Sequence, residues 1–273
     1  MNPNKTLNTR LIVASILVLL VMAFVILGGW PYAIFITIFL ALAGWEYWRI
    51  FRISDYSPSL FLMIVGILSL VGMRYFFQFQ HLDIWLTAMI LLSMTFAVFQ
   101  QTQNVPKAGF NFAITASGIL YVGWLGSYAI SLRALPLGLI WTLLVIFSAA
   151  MSDTGGYLFG SLWGKHKIAP SLSPQKSWEG YFGGVLVAAL STWGAALVCA
   201  QFFPTLNPLH GLILGAVLAI LTPLGDFAES MLKRSFNIKD TSHILPGHGG
   251  ILDRIDSSLW AIPIGFYIIL LLK

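Results

Sequence analysis

The chain has 273 residues, of which 58% are hydrophobic and only 9% are charged. Soluble domains carry about 25% charged residues, so a soluble chain of this length could not hide so much apolar surface from water. The net charge of +5 does not indicate nucleic-acid binding, because excess Lys and Arg in a membrane protein more often mark the loops of one side. The single cysteine, Cys199, excludes an internal disulfide.

Nine apolar segments are each close to the length of a membrane span, for which about 20 apolar residues are needed. The first follows Lys5 and Arg10, as in a signal peptide, but no small-residue cleavage site follows it, so we expect a retained span. The sequence therefore predicts an all-α, polytopic membrane protein with about nine transmembrane helices. The predicted spans are residues 11–28, 32–48, 59–76, 84–100, 110–131, 136–158, 181–203, 209–228 and 258–272.

The charges between these spans predict their orientation. With the N-terminus in the cytoplasm, twelve Lys and Arg residues fall in cytoplasmic segments and three, Arg74, Arg133 and Lys273, fall on the opposite side. Cytoplasmic loops carry an excess of Lys and Arg, so we predict a cytoplasmic N-terminus and a C-terminus on the opposite side. The twelve cytoplasmic residues are Lys5, Arg10, Arg49, Arg52, Lys107, Lys165, Lys167, Lys176, Lys233, Arg234, Lys239 and Arg254.

The acidic residues are concentrated in the second half of the chain. Of ten Asp and Glu residues, seven follow residue 150. Ionisable groups in membrane segments commonly mark functional sites. We therefore predict a transmembrane scaffold over residues 1–135 and a catalytic transmembrane region over residues 136–273.

Two segments of the second half combine an acid or a base with a helix end. Asp153 ends an apolar run, where an unpaired carboxylate in lipid is costly, so we expect it to be paired, metal-bound or facing a water-filled cavity. A helix-end carboxylate at the headgroup level is the alternative. In residues 173–180, Ser177 could cap the following helix, and free N–H groups beside Lys176 would suit a phosphate. An ordinary helix cap with an orienting lysine is the alternative there.

The segment around residue 226 ends another apolar run. Asp226, Ser230 and Lys233 are spaced i, i+4 and i+7, so they share one face of a helix. Arg234 adds a second base. An acid can hold a hard cation and the bases can neutralise phosphate oxygens, so this face predicts a metal–phosphate site. A solvated helix end is the alternative.

Residues 238–256 carry the densest set of polar groups. Residues 246–250 contain three glycines that let the backbone approach a ligand closely. They lead into a helix on which Asp253 and Asp256 share a face, with Arg254 between them. Paired carboxylates beside a glycine-rich loop and bases favour Mg²⁺ with a polyphosphate. His248 alone is a weak indication, since a lone histidine is more often a hydrogen-bonded loop residue. No Cys/His zinc set and no Walker phosphate loop occur.

The same segment is similar to a known family signature. Residues 230–256 contain Ser230-x-Leu232-Lys233-Arg234-x4-Lys239-Asp240 and Pro246-x-His248-Gly249-Gly250-x2-Asp253-Arg254-x-Asp256. This pattern resembles that of the phosphatidate cytidylyltransferases, the CDP-diacylglycerol synthases. Residues 152–154, residues 173–180 and Gly225-Asp226 resemble further family features. The first 130 residues resemble the family only in being apolar and multispanning.

The resemblance implies a reaction in which CTP and phosphatidic acid give CDP-diacylglycerol and pyrophosphate. It also implies a divalent cation, usually Mg²⁺, a bacterial plasma membrane and a homodimer. As the charge argument above indicates, we expect no nucleic-acid partner. With the orientation above, the active site would face the cytoplasm, where CTP is found.

The reaction joins two polyanions, so the site needs cations that bring them together and stabilise the leaving charge. We expect Asp226, Asp253 and Asp256 to be the metal ligands. Further catalytic residues are expected at Lys233, Arg234, Lys239, Asp240, His248 and Arg254. Substrate-binding residues are expected at Asp153, Ser173, Lys176, Ser177, Glu179, Ser230, Gly249 and Gly250.

Two other functions are compatible with parts of this pattern. A CTP-dependent lipid-alcohol kinase would share the helices, the nucleotide and the metal, but it would release CDP instead of pyrophosphate. A transporter could also carry intramembrane acids and broken helices. The Asp-Gly-x2-Ala-Arg pattern of a CDP-alcohol phosphatidyltransferase is absent from the sequence.

Overall fold

The structure is a computed structural model that describes the backbone of residues 3–272 and the side chains of residues 12–272. Lys5, Arg10 and Lys273, which enter the orientation prediction, lie outside the residues whose side chains are described. Within the described part, nearly all regular structure is helical, and eight helical stretches are long and apolar enough to span a membrane. A ninth, shorter apolar stretch, Ile12–Leu27, is part of the first helix. The prediction of an all-α, polytopic membrane protein with about nine spans is confirmed.

The first five spans occupy the N-terminal half of the chain. The fifth contains a π-helical turn at Ile119–Trp124, which joins two α-helices into one stretch. The helices are α1 (Pro3–Leu27), α2 (Gly29–Arg52), α3 (Leu60–Phe77), α4 (Leu82–Thr102), α5 (Ala108–Gly118) and α6 (Leu125–Arg133).

The C-terminal half holds the remaining four spans and a short β-ribbon. The ribbon pairs β1 with β2 antiparallel, with Lys167 opposite Ser177, where the sequence had indicated only a loop. The break between α9 and α10 falls at Thr222, before Pro223, which cannot donate a helical hydrogen bond. The elements are α7 (Gly138–Trp163), β1 (Lys167–Ala169), β2 (Ser173–Ser177), α8 (Trp178–Phe202), α9 (Pro208–Leu221), α10 (Pro223–Ser235) and α11 (Leu252–Leu271).

The chain divides into two compact units that do not follow its two halves. The first unit runs to Ser131 and also takes in Ser235–Ile255, and the second comprises Leu132–Arg234 and the chain from Asp256 onward. The glycine-rich segment therefore belongs to the unit built from the N-terminal helices. The predicted division into a scaffold and a catalytic region at residue 135 concerns function, and it stays a prediction.

In the first unit, α2, α3 and the π-helical turn pack closely. Ile50, Met63 and Ile67 are completely buried. Gly118 faces Met63, and a Cβ at this glycine would lie 2.6 Å from the Met63 methyl carbon, so the absence of a side chain allows the contact. Glycines that face large apolar side chains allow two helices to approach closely, which is typical of membrane helix bundles.

Near the end of α3, an arginine is enclosed by aromatic rings of the same unit. Arg74 has no exposed surface, and its guanidinium carbon lies 4.0 Å from the ring centre of Phe79, 4.6 Å from that of Trp124 and 4.1 Å from that of Tyr128. Its Nε donates a hydrogen bond to the Ser127 hydroxyl (3.3 Å). Ring faces attract a cation, so this enclosure compensates for part of its lost hydration.

In the second unit, α7 and α8 meet along glycines. A Cβ at Gly184 would lie 2.7 Å from the carbonyl oxygen of Ser152, and one at Gly180 would lie 2.7 Å from that of Gly156. Only glycine permits backbones to approach so closely. This seam brings the C-terminal half of α7, which carries Asp153, beside the start of α8.

Candidate active site

Three carboxylates from two helices of the second unit form a cluster. Asp226 and Glu229 lie on α10 and Asp256 lies on α11, and one oxygen from each lies within 4.8 Å of the others. Gly225 makes the approach possible, because a Cβ there would lie 2.7 Å from the Asp256 carbonyl oxygen and from the Trp260 ring. We call these three residues the acid cluster.

Basic and hydroxyl groups surround the acid cluster. Lys176 on β2 forms an ion pair with Asp226, and the Lys233 Nζ lies 2.6 Å from the Glu229 carboxylate. The Ser230 hydroxyl donates to Asp226 Oδ1 (3.3 Å), so the predicted shared face of α10 is confirmed. Among themselves, these three carboxylates and two lysines carry one formal negative charge, and carboxylates that lie so close together favour a cation between them.

The chemistry of the donors fits a hard divalent cation. All three groups are carboxylates, and oxygen ligands suit Mg²⁺, Ca²⁺ or Mn²⁺ better than zinc, which prefers nitrogen and sulfur. Oxygens bound to one Mg²⁺ lie about 3 to 4 Å apart, so small side-chain adjustments would bring the cluster to that spacing. Glu229 is 1% exposed, and such burial of a carboxylate is typical of a paired or metal-binding group.

A cavity of about 210 Å³ opens beside the acid cluster within the second unit. Its walls come from the C-terminal half of α7, both strands of the ribbon, and the N-terminal ends of α8 and α10. Asp153, Lys176 and Ser177 all line it. The Lys176 ammonium also lies 4.6 Å from the ring centre of Phe227, which is part of the wall. The structure therefore brings three of the predicted substrate-binding residues to one cavity.

Two predicted substrate-binding residues have local structural contacts. The Ser177 hydroxyl accepts from the Gly180 N–H (3.2 Å), which confirms the predicted helix cap. The Glu179 carboxylate accepts from the backbone N–H groups of Lys165 and His166 and lies 2.6 Å from His166 Nδ1. Glu179 thus holds the segment that leads into β1 against the start of α8.

Ser173 lies in the ribbon, opposite Ala169, and its predicted role in substrate binding stays a prediction.

The glycine-rich segment of the first unit forms a second cavity, of about 480 Å³. Gly247 and Gly249 have φ values of 77° and 81°, a region that favours glycine, and a β-bridge joins Leu245 to Gly249 across the turn. We call this cavity the glycine-loop pocket. It is lined by five predicted site residues, Lys239, Asp240, His248, Gly249 and Arg254, together with His243, Leu245, Pro246 and Gly247.

We call residues 243–250, between Ser242 and Ile251, the glycine loop. Asp253 lies at the base of this loop. Its Oδ2 accepts from the Thr241 N–H (3.0 Å), the Gly250 N–H (2.7 Å) and the Thr241 hydroxyl (3.0 Å). Asp253 is 8% exposed. These contacts give it a part in shaping the loop, while its expected part as a metal ligand stays a prediction.

Comparison with known proteins identifies the family. The model of the cytidylyltransferase family matches residues 8–272. The chain belongs to this family. It is similar to a protein named phosphatidate cytidylyltransferase from Staphylococcus aureus (strain COL), at 31% identity over 94% of this chain and 97% of the relative. Proteins of the same name from Staphylococcus epidermidis (strain RP62A) and Staphylococcus saprophyticus are 35% and 37% identical, each over 75% of this chain and 78% of the relative.

Membership in the cytidylyltransferase family confirms the resemblance predicted from residues 230–256. It makes the chain a nucleotidyltransferase, and the apolar helices make it an integral membrane protein. The roles predicted for the basic residues near the acid cluster and in the glycine-loop pocket stay predictions. Arg234 is exposed at the end of α10, and its predicted role stays a prediction.

Two carboxylates that the structure makes prominent were not among the predicted site residues. Glu229 is the third member of the acid cluster, and its i, i+3 spacing from Asp226 could have revealed it. Glu46 on α2 has no exposed surface, and both of its oxygens accept hydrogen bonds from residues flanking the glycine loop. A lone acid in an apolar span is itself a signal, because such burial is costly without partners.

Proposed function

We propose that this cytidylyltransferase transfers the CMP group of CTP to phosphatidic acid, giving CDP-diacylglycerol and pyrophosphate. The observation that carries the proposal is the full-length similarity to a protein named phosphatidate cytidylyltransferase, which covers 94% of this chain. The multispanning architecture agrees with it, because phosphatidic acid resides in the bilayer.

The reaction sets requirements that the observed side chains can meet. A phosphate oxygen of phosphatidic acid attacks the α-phosphorus of CTP. The bond from that phosphorus to the bridging oxygen breaks, and pyrophosphate leaves with the bonding electrons. The attacking oxygen is already anionic near neutral pH, so a strong general base is not required. The protein's task is to position two polyanions and offset their repulsion.

The acid cluster supports a metal site for this reaction. We propose that Asp226, Glu229 and Asp256 hold Mg²⁺ or another divalent cation, which would screen the meeting phosphate groups and the leaving pyrophosphate. Lys176 and Lys233, already beside these carboxylates, would contact phosphate oxygens. Lysine suits this task because its ammonium is a compact charge with three donors.

The glycine-loop pocket supports a phosphate-binding role. Its lining includes Lys239 and Arg254, and its backbone is exposed at glycines. Arginine binds phosphate through two parallel hydrogen bonds, and glycine lets backbone N–H groups reach the same oxygens. We assign to this pocket the phosphates of CTP. The cavity beside Asp153 then remains for the phosphate of the lipid.

We further propose that the active site faces the cytoplasm of a bacterium and that the enzyme is a homodimer. The cytoplasmic orientation is favoured by the loop charges and by the location of CTP. Chemical cross-linking of the purified enzyme in detergent, followed by electrophoresis, tests the dimer.

The decisive experiment incubates the purified chain in detergent with CTP radiolabelled at the α-phosphate, phosphatidic acid and Mg²⁺. We expect label in a lipid product, an equal amount of pyrophosphate, and loss of both with a chelator. CDP as the nucleotide product, with label absent from lipid, would instead indicate a kinase. Absence of turnover in detergent, together with ion or substrate flux in sealed vesicles, would indicate a transporter.

A further inference from the structure

A carboxylate on α2 ties together the two ends of the glycine loop. The Glu46 Oε1 accepts from the Ser242 hydroxyl (2.5 Å) and from the Ile251 N–H (3.0 Å). Its Oε2 accepts from the Thr241 hydroxyl (3.2 Å) and from the Leu252 N–H (2.6 Å). Each oxygen therefore joins one residue that precedes the loop to one that follows it.

Two neighbouring contacts reinforce this tie. Arg49, one helical turn after Glu46, lies with its guanidinium 3.5 Å from the Thr241 carbonyl oxygen, to which it donates. Asp253 joins Thr241 to Gly250 through its own carboxylate. Gly250 has to be a glycine here, because a Cβ would lie 2.6 Å from both Glu46 carboxylate oxygens.

The tied residues enclose the part of the chain that lines the glycine-loop pocket. His243 and residues 245–249 lie between the two tied ends, and Lys239 and Arg254 lie just outside them. The spacing of the ends therefore sets the width of the pocket. Glu46 itself is completely buried and lines neither the pocket nor the cavity beside Asp153.

We propose that Glu46 is a positioning residue for the nucleotide: it fixes the ends of the glycine loop so that the pocket keeps the shape that binds the phosphates of CTP. The inference rests on the proposed function. General packing is a poor explanation for a buried carboxylate, since an apolar residue of similar size fills such a space at lower cost. The arrangement of four donors around two oxygens is specific to a carboxylate.

The geometry makes Glu46→Gln an informative variant. Each oxygen accepts one hydroxyl, which can turn, and one backbone N–H, which cannot. Whichever way the glutamine amide is placed, its NH₂ group faces a backbone donor, and one end of the loop is released. Tyr47→Phe is the matched control, because the adjacent Tyr47 is buried and bonds the Ser117 hydroxyl (2.9 Å) away from the loop.

The test compares full-length wild type, Glu46→Gln and Tyr47→Phe in detergent. Hydrogen exchange at the amides of Gly250, Ile251 and Leu252 needs no substrate, and we expect it to be about tenfold faster in Glu46→Gln only. In the enzyme assay, the KM for CTP should rise about tenfold in Glu46→Gln, while the KM for phosphatidic acid stays within about twofold. Tyr47→Phe should leave both KM values unchanged.

A loss of thermal stability in Glu46→Gln with an unchanged KM for CTP would reduce Glu46 to a structural residue and overturn the proposal. Unchanged exchange at residues 250–252 would do the same. If the wild type shows no turnover of CTP, the proposed function fails; protection of these amides by inorganic pyrophosphate with Mg²⁺, lost in Glu46→Gln, would still support the role of Glu46. If Glu46→Gln does not fold, Ser242→Ala removes one of the four donors. Ser242→Ala should raise the KM for CTP about threefold. An unchanged KM would contradict the proposal that Glu46 holds the ends of the glycine loop.

Discussion

Lys176, on the second strand of the β-ribbon, forms an ion pair with Asp226 on α10. The pair joins two segments that the sequence analysis treated as separate, the 173–180 segment and the end of an apolar run. The β-ribbon thus positions the Lys176 ammonium beside the acid cluster.

Replacement of Asp226 by Asn should abolish most activity. The change removes a metal-binding charge and leaves Lys176 without its ionic partner, while the side chain keeps its size. We expect kcat/KM to fall about 100-fold or more, measured as pyrophosphate release. Asp83→Asn is the control, because Asp83 is exposed in the first turn of α4. Near-normal activity of Asp226→Asn would remove this residue from the site.

Beside Asp226 and Asp256, the third metal ligand has two candidates: Glu229, from the acid cluster, and Asp253, from the sequence prediction. The variant Glu229→Gln distinguishes them. If Glu229 belongs to the metal site, the Mg²⁺ concentration for half-maximal activity should rise about tenfold or more in this variant. Asp253→Asn should abolish turnover while the protein still inserts, and it should also loosen the bonds to Thr241 and Gly250. Magnesium titration of both variants is the measurement. A shifted Mg²⁺ requirement in Asp253→Asn alone would assign the ligand to Asp253.

Gly225→Ala should damage the site without removing any charge. A Cβ at residue 225 would collide with the Asp256 carbonyl oxygen and the Trp260 ring, which forces α10 and α11 apart. Overpacking of this kind costs about 1–3 kcal/mol, so both Tm and activity should fall. Gly194→Ala, in α8, meets no atom within 4 Å and should stabilise the helix by up to about 1 kcal/mol. Equal behaviour of the two variants would contradict the close approach.

Lys239→Ala should weaken the use of CTP. Loss of a charged donor to phosphate costs about 1.5–3 kcal/mol, so the KM for CTP should rise about 10- to 100-fold. Lys107→Ala should be nearly silent, because the Lys107 ammonium contacts only the Tyr56 ring, 4.2 Å from its centre, among the interactions described for it. Steady-state kinetics with varied CTP compares them. A severe catalytic loss in Lys107→Ala would contradict the prediction that the catalytic region is residues 136–273.

Labelling of single cysteines tests the orientation. Cys199 is the only cysteine, so Cys199→Ala provides a cysteine-free background for Arg133→Cys and Lys167→Cys. In intact cells, a membrane-impermeant maleimide should label the residue introduced at 133 and should reach the one at 167 only after permeabilisation. The reverse pattern would place the active site on the outer side of the membrane.

The sequence predicted the spans well because apolar length is a strong local signal. The predicted third span, residues 59–76, compares with Leu60–Phe77 in the structure. The β-ribbon was missed because its strands, Lys167–Ala169 and Ser173–Ser177, are short and show no apolar alternation. The grouping of Lys239, Asp240, His248, Gly249 and Arg254 in one pocket agreed with the signature.

The contacts of Glu46 could not be obtained from local patterns. Its partner Ser242 lies 196 positions further along the chain, and spacing rules such as i, i+3 act only within one helix. The concentration of acids after residue 150 had predicted a catalytic region that begins at residue 136. The structure instead places residues 235–255 in one compact unit with the N-terminal helices, which is where the buried acceptor lies.

The ring enclosure of Arg74 bears on the charge count that predicts the orientation of the chain. A guanidinium covered on all sides by Phe79, Trp124, Tyr128 and their neighbours offers no charge to lipid headgroups. Topology signals depend on cations that the insertion machinery and the membrane surface can sense. Without Arg74, the cations that the sequence predicts on the side opposite the cytoplasm are Arg133 and Lys273, and the predicted ratio that favours a cytoplasmic N-terminus becomes twelve to two.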